Sequence, residues 1–281
     1  MNKENYFIKQ IANNTFIGDD GAVINEKLKN KNEKYIYSSD GFFQDVHFKT
    51  SWMSLKQIAS KAMLVNISDA IAMNAKPKYA LITIAIPKEY RKKDLKQLAS
   101  GFKKIAKKYN IIIIGGDTIS NIKLDISITI ISTSTNPIYR SGTKIDDLVC
   151  HTGVLGKSKR DLERLFKNKK ISKKSKFIKP KLKDKFFYEI SPYVNSALDI
   201  SDGLFFELER LGKINKLSFE FIHNIKDKVG CSGEEYEMLF TINPEYKNKV
   251  KKIAKKHKVK LNIFAKAIKG KYKNRCKSHH F

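Results

Sequence analysis

Asp19, Asp20, Asp40, Asp69, Asp117, Asp199 and Asp202 fall in or beside segments rich in Gly, Ser and Thr. In a chain with 56 Lys and Arg against 28 Asp and Glu, carboxylates placed this way stand out. Hard cations such as Mg²⁺ take oxygen ligands, typically one or two carboxylates completed by water and substrate phosphates. Ser38, Ser39, Thr118 and Ser201 stand beside the aspartates and add hydroxyl oxygens. Any one of these aspartates, taken alone, is more readily a cap or turn residue than a ligand. The set together points to metal-dependent phosphate chemistry, although spacing alone does not show that it converges.

Other routes to that chemistry are absent. Gly153-Val154-Leu155-Gly156-Lys157-Ser158 has the ending of a phosphate-binding loop, but only two residues separate its glycines where four are needed. There is no Gly-x-Gly-x-x-Gly, no serine nucleophile elbow and no His-Glu-x-x-His.

The elements that must hold the aspartates are predicted as follows. Residues 4–14 form a short amphipathic helix, and Ile17 to Ile24 a tight turn that carries two carboxylates and leads into a strand. Residues 25–33 form a polar loop. Tyr35 to Phe48 reads as a β-hairpin, with Asp40-Gly41 as its turn. Apolar residues spaced three and four apart over 54–75 predict a long, largely buried helix, with Asn66 and Asp69 on one face. An aspartate inside so apolar a helix is costly unless something pairs with it. Residues 78–86 make a strand stopped by Pro87, and 91–109 a basic amphipathic helix. Ile111 to Ile114 reads as a strand buried on both faces in mid-sheet, with Gly115-Gly116-Asp117-Thr118 at its carboxyl end, where open α/β sheets bind ligands. Taken alone, the plain strand-and-turn reading of that segment is the stronger one. Residues 124–131 alternate as a further strand. After Arg140-Ser141-Gly142 come a strand at 148–156 and a Lys-rich, exposed helical stretch at 157–185. Asn195 to Leu204 reads as a strand end turning into a helix over 205–211, Cys231 to Thr241 as a turn running into a strand or short helix, 245–258 as a basic helix and 259–265 as a strand. Strands alternating with helices give an α/β (α+β) fold with two domains, 1–142 and 143–281.

Composition narrows the classes. Hydrophobic content of 41% is that of a globular protein, and no apolar run reaches the roughly 18–20 residues of a membrane span. The amino terminus lacks the apolar stretch of a signal peptide. The net charge of +28 comes from lysines spread along the whole chain, which argues against one nucleic-acid-binding stripe. Cys150, Cys231 and Cys276 are odd in number and widely spaced, giving neither a disulfide framework nor a zinc signature. The expectation is a cytoplasmic protein with no nucleic-acid or membrane partner.

The order of motifs carries a resemblance. Gly18-Asp19-Asp20, Asp40-Gly41 with Val46-His47-Phe48, Lys61-Ala62 with Val65-Asn66-Ile67-Ser68-Asp69, Gly115-Gly116-Asp117-Thr118, Arg140-Ser141-Gly142, Asp199-Ile200-Ser201-Asp202-Gly203-Leu204 and Gly233-Glu234 with Tyr236-Glu237 follow one another along nearly the whole chain. In this the sequence resembles the thiamine-monophosphate kinase family, within the aminoimidazole ribonucleotide synthetase (PurM-like) superfamily. The resemblance implies a two-domain PurM-like fold whose amino-terminal domains pair through their sheets in a homodimer. It implies ATP as co-substrate, several Mg²⁺ ions, and phosphorylation of thiamine monophosphate to thiamine diphosphate.

Carried over position by position, the resemblance gives Asp20, Ser38, Ser39, Asp40, Asp69, Asp117, Asp199 and Asp202 as magnesium ligands. It gives Tyr109, Gly116, Asp117, Arg140 and Ser201 as ATP contacts, and His47 and Glu234 as contacts to the thiamine phosphate. No residue is assigned as a general base, because a phosphate monoester is already ionised near pH 7. The alternatives are another ATP-using member of the superfamily with a different acceptor, or an inactive paralogue. Gly21, Asn74 and Ser232 depart mildly from the family pattern. The tail Asn274 to Phe281, with Trp52 as the only tryptophan, departs more.

Overall fold

The computed structural model describes residues 19–24 and 32–277; the helix expected over 4–14 and most of the loop expected over 25–33 lie outside them. The chain divides into two compact units. The first comprises 23–137 with 157–182, the second 1–22 with 138–156 and 183–281. One change of unit, at 137/138, lies near the boundary expected at 142/143, and the segment 157–182 joins the first unit.

The first unit is built on a five-stranded sheet. Its elements are β1 (Ala22–Ile24), β2 (Lys34–Phe43), α1 (Leu55–Ala72), β3 (Lys76–Pro87), α2 (Lys92–Tyr109), β4 (Ile112–Asn121) and β5 (Asp125–Ser134), with strand order β1-β2-β5-β3-β4. Ser54 starts α1 through a capping box: Gln57 N donates to its hydroxyl at 3.3 Å, and Ser54 N donates to Gln57 Oε1 at 2.9 Å. Nearly the whole of α1 is buried, Lys61 and Asn66 included. The Lys61 ammonium lies 3.9 Å from the Phe177 ring centre and 5.5 Å from that of Phe42, an arrangement that offsets part of its desolvation. Trp52 meets Phe166 and Phe177 edge-on. These contacts explain why the segment that follows β6 belongs here. Of the helix expected over 157–185, α3 (Lys157–Phe166) and the last two residues are helical; 167–183 is turns and irregular chain, and Phe177, Ile178 and Leu182 are buried rather than exposed. Lysine content masked those apolar anchors.

Two further expectations are corrected. Asp40-Gly41 is not a hairpin turn: β2 runs straight through it, pairing Asp40 with Ile128 and Gly41 with Ser127 along an unbroken ten-residue ladder. A tight turn comes later, with Val46 N and His47 N donating to Phe43 O and Asp45 at φ +66°. The Ile111–Ile114 stretch is not a mid-sheet strand either. It begins β4, which lies at the sheet edge, parallel to β3 by way of α2, and every residue of β4 is exposed. Gly115-Gly116-Asp117-Thr118 lies inside this strand rather than at its end.

The second unit carries the other sheet. Its elements are β6 (Leu148–Thr152), α4 (Asp184–Ile190), β7 (Val194–Asp199), α5 (Leu204–Asn215), β8 (Leu217–Phe221), a one-turn α6 (Asp227–Gly230), β9 (Met238–Ile242), α7 (Lys247–Lys256) and β10 (Leu261–Lys269). The strand order is β7-β9-β6-β10-β8, with antiparallel neighbours. β9 is buried throughout and its side chains alternate between two covers. Leu239 joins Leu204, Leu208 and Leu211 of α5, while Phe240 meets Phe186 and Phe187 of α4. β8 and α6 had no counterpart in the sequence reading. A disulfide joins Cys231 to Cys276, against the expectation of no such framework, and Cys150 is a buried free thiol. Among the described residues no helix is long and apolar enough to cross a membrane.

Candidate functional site

In the second unit a tight turn follows β7. Asp199, 3% exposed, ends the strand, and Ile200-Ser201-Asp202-Gly203 leads into α5. Gly203 has φ +114°, and a Cβ there would lie 3.1 Å from Gly230 O, so the turn requires a glycine. The loop before β9 clamps this turn: Glu234 N donates to Ser201 O at 2.6 Å, Tyr236 N to Ile200 O at 2.8 Å, and Ile200 N to Glu237 O at 2.8 Å. Glu234 and Tyr236 both have positive φ, of +55° and +49°. Glu235 is itself held, its Oε1 accepting from Ser232 Oγ at 2.6 Å and Gly156 N at 2.7 Å. Glu237 Oε2 accepts from Thr152 Oγ1 at 2.6 Å.

Arg140 fixes the amino-terminal aspartates of the same unit. Its backbone N–H donates to Asp19 Oδ1 at 2.6 Å, and its Nη2 to Asp20 Oδ1 at 2.7 Å. Burial lifts the Asp19 carboxyl above the ordinary range, with the hydrogen bond and charge of Arg140 pulling it back. The Asp20 side chain is only 4% exposed, and its Oδ2 is buried with no hydrogen bond among the described residues. A carboxylate oxygen of Asp199 lies within 4.8 Å of one from Asp20. Two carboxylates about 5 Å apart repel by roughly 3 kcal/mol at an effective dielectric near 20. A buried, unsatisfied carboxylate oxygen beside a second carboxylate fits the oxygen donor set of a divalent cation.

Asp202 is placed differently. Its Oδ2 accepts from Arg210 Nη2 at 2.6 Å, and Arg210 Nη1 reaches both oxygens of the buried Glu207, at 2.9 and 2.8 Å. Burial lifts Glu207's carboxyl, while Arg210 pulls it back. Against its own burial, Arg210 is held above its ordinary pKa by the Glu207 and Asp202 carboxylates. Sequence reasoning missed both Glu207 and Arg210. Their only signal was a Glu and an Arg three apart on the helix that follows the Asp-Gly turn.

The first unit holds the remaining predicted residues. Ser38 and Asp40 share one face of β2, Ser39 the other. Ser38 is buried and its Oγ has no hydrogen bond among the described residues, while Asp40 N donates to Asn66 Oδ1 at 2.9 Å. Ser39 Oγ lies 3.0 Å from Thr129 Oγ1 and 3.3 Å from Ile128 O, so one ion cannot take all three side chains of this run. Asn66 Nδ2 donates to Ala62 O at 3.0 Å, and Asp69 follows one turn later on α1. Asn66 is thus a positioning residue for the backbone at Asp40. His47 Nδ1 accepts from Phe43 N at 3.0 Å while its ring stacks on Phe42. Tyr109 ends α2, its hydroxyl 2.8 Å from Lys108 Nζ. Asp117 accepts from Thr118 N at 2.8 Å on the exposed edge strand. Gly116 has φ +138°, and a Cβ there would meet Ile82 O at 1.8 Å; only glycine lets β4 lie against β3 at this point.

Comparison with known proteins agrees with these motifs. The family model described as AIR synthase related protein, N-terminal domain, matches residues 18–133. The chain is 32% identical over 266 residues to a protein of Buchnera aphidicola subsp. Acyrthosiphon pisum named thiamine-monophosphate kinase, covering 85% of this chain and 80% of that one. It is 30% identical over 255 residues to the Bacillus subtilis protein of the same name, covering 82% and 78%. Among solved structures, AaThiL complexed with AMPPCP and TMP matches with a TM-score of 0.84 over 96% of this chain and 91% of that one, at 23% identity; that likeness shows the fold.

Proposed function

The chain belongs to the thiamine-monophosphate kinase family, and from that membership we propose that it phosphorylates thiamine monophosphate to thiamine diphosphate with ATP, in the cytoplasm. The observation that carries the chemistry is the buried Asp20 Oδ2, which has no hydrogen bond among the described residues and lies beside the Asp199 carboxylate. Asp20 and Asp199 hold Mg²⁺ in the second unit. Asp40, Asp69 and Asp117 of the first unit, with Ser38, Ser39 and Asp202, are the further ligands the family pattern assigns. Bound Mg²⁺ supplies charge neutralisation between two anionic substrates and orients the phosphoryl group in transfer.

The chain's own groups then have separable tasks. Arg140 holds Asp20 through one oxygen and leaves the other for a ligand. Arg210 holds Asp202 and Glu207, fixing the turn that carries Ser201. Ser201, Tyr109 and Gly116 are the ATP contacts that the family pattern assigns. His47 and Glu234 contact the phosphate of thiamine monophosphate. The acceptor phosphate attacks the γ-phosphorus in line, and no general base is needed because that oxygen is already ionised.

We also propose a homodimer formed through the first unit. Ile112, Ile114, Ile119 and Ile122 are 51–85% exposed on or just after β4, an apolar edge that a second copy would cover.

The test is direct. Purified protein with ATP and Mg²⁺ is given thiamine monophosphate, or thiamine as control, and thiamine diphosphate is measured by chromatography. Product from the monophosphate alone is expected. Mg-ATP binding without product would transfer the reading to another acceptor or to an inactive paralogue.

A further inference from the structure

The second unit carries a covalent feature that the reaction does not use. Cys231 and Cys276, 45 residues apart, are joined with their Cα atoms 5.6 Å apart, within the range that a disulfide spans without backbone movement. Cys231 is followed at once by Ser232-Gly233-Glu234-Glu235-Tyr236, the loop whose backbone clamps the turn after Asp199. Its backbone also packs on that turn directly: a Cβ at Gly203 would lie 3.2 Å from the Cys231 carbonyl carbon.

Cys276 sits on the carboxyl-terminal tail, which docks on the same unit by other contacts. Arg275 Nε lies 2.7 Å from Asp227 Oδ1, Arg275 Nη2 donates to Ile225 O at 2.8 Å, and Tyr272 packs on Phe219 and Phe221. The tail therefore holds both sulfurs in register without the bond. Cys231 is buried and Cys276 is partly exposed, so one sulfur is open to a reagent and the other is positioned to resolve it.

Disulfides in reducing compartments are mostly transient and redox-sensing. We propose that Cys231 and Cys276 form a reversible thiol–disulfide site that stiffens the 232–236 loop and so sets the activity of the Asp199–Asp202 turn. The proposal's regulatory half rests on the kinase reading above; its chemical half does not.

The reaction balances with a low-molecular-weight disulfide as oxidant. The Cys276 thiolate attacks one sulfur of the oxidant and expels a thiolate, leaving a mixed disulfide. The Cys231 thiolate then attacks the Cys276 sulfur and expels the second thiolate. Two electrons pass to the oxidant, which becomes two thiols with the protons lost by the cysteines. A dithiol reductant reverses both steps.

Full-length protein is prepared reduced with dithiothreitol and oxidised with glutathione disulfide. Free thiols are alkylated and peptides mapped by mass spectrometry, with the buried Cys150 as internal reference. The expected result is a Cys231–Cys276 peptide in the oxidised sample only, with amide exchange over 231–237 about tenfold slower than in the reduced sample. Turnover of thiamine monophosphate should differ by about threefold or more between the two states, and Cys276→Ser should remove the difference. Two alkylatable thiols at 231 and 276 after oxidation, or equal exchange over the loop in both states, would overturn the site. Active enzyme with equal turnover in both states would overturn the regulatory role. No turnover in either state, with the exchange difference intact, would support the redox site and remove the kinase reading instead.

Discussion

The two units hold their carboxylates in contrasting ways. In the second unit they are braced by arginines and by a backbone clamp. Arg140 grips Asp20, Arg210 grips Asp202 and Glu207, and the 231–237 loop clamps the turn after Asp199. In the first unit Asp69 rides on α1, and Asp40 and Asp117 are set by the sheet. Asp40 is located by the β2–β5 ladder and the Asn66 amide, and Asp117 by a strand exposed along its whole length. The difference teaches where order comes from. One unit braces its carboxylates with internal ion pairs, whereas the other presents an exposed apolar edge. The contrast can be tested at each of its terms.

The largest effect should come from Asp199→Asn. Turnover is expected to fall by about a thousandfold or more, as when a charge-stabilising group is lost from a phosphoryl-transfer site. The rise in melting temperature given by millimolar Mg-ATP, a mass-action consequence of binding the folded state, should disappear. Without ligand the variant should be as stable as the parent or more so, because the repulsion from Asp20 is relieved. Asp117→Asn should also lose turnover, but with no gain in ligand-free stability, since its carboxylate sits on an exposed strand. Near-parental activity of either variant would remove that residue from the metal site.

Next in size is the edge strand. Ile112 and Ile114 are both exposed on β4. Changing both to Lys puts like charges into a self-complementary interface, where each substitution counts twice. Light scattering should report a monomer, and the urea midpoint of that monomer should move little, because exposed substitutions usually stay within about 0.5 kcal/mol. A dimer that survives the double change would place the interface elsewhere. Arg210→Met probes the other unit. Glu207 would be left buried and uncompensated, at a cost of about 2–3 kcal/mol once the partial exposure of Arg210 is allowed for. Adding Glu207→Gln should recover much of that loss. Failure to recover it would mean that Arg210 acts by packing.

How far the sequence foretold this differs between the units for the same physical reason. Elements defined by local pattern were legible: the α1 periodicity, the Pro87 stop, the amphipathic α2 and the turn into α5. What failed was decided by partners distant in the chain. An Asp-Gly pair reads as a turn until a ten-residue ladder pulls it straight. A run of isoleucines says that a surface is to be covered without saying by what, so β4 was read as a central strand although it lies at the edge. Phe177 was hidden among lysines because its partners, Trp52 and Lys61, are more than a hundred residues earlier. Spacing could not pair Cys231 with Cys276. For the site, the motif order located the aspartates but not their supports. Asn66 stood in a motif without its task being stated, and Glu207 and Arg210 act through geometry that no motif states.

The smallest effect distinguishes exposed from buried pairing inside the second unit. Glu189 lies 2.7 Å from Lys256 Nζ and 2.6 Å from His257 Nε2, and the Lys256 and His257 contacts hold its carboxyl below the ordinary value of 4.5. A carboxyl depressed on folding contributes stability that is present above its unfolded pKa and lost as pH falls through the folded one. The melting temperature of Glu189→Gln should therefore sit slightly below that of the parent at pH 6–7, roughly two units above the unfolded pKa, and the gap should close on acidification. Because this pair is solvated, added salt should close the gap at neutral pH as well. The loss from Arg210→Met should resist salt, since Glu207 is buried. If both gaps closed alike in salt, the distinction between a locked interior and a solvated surface would not hold for this unit.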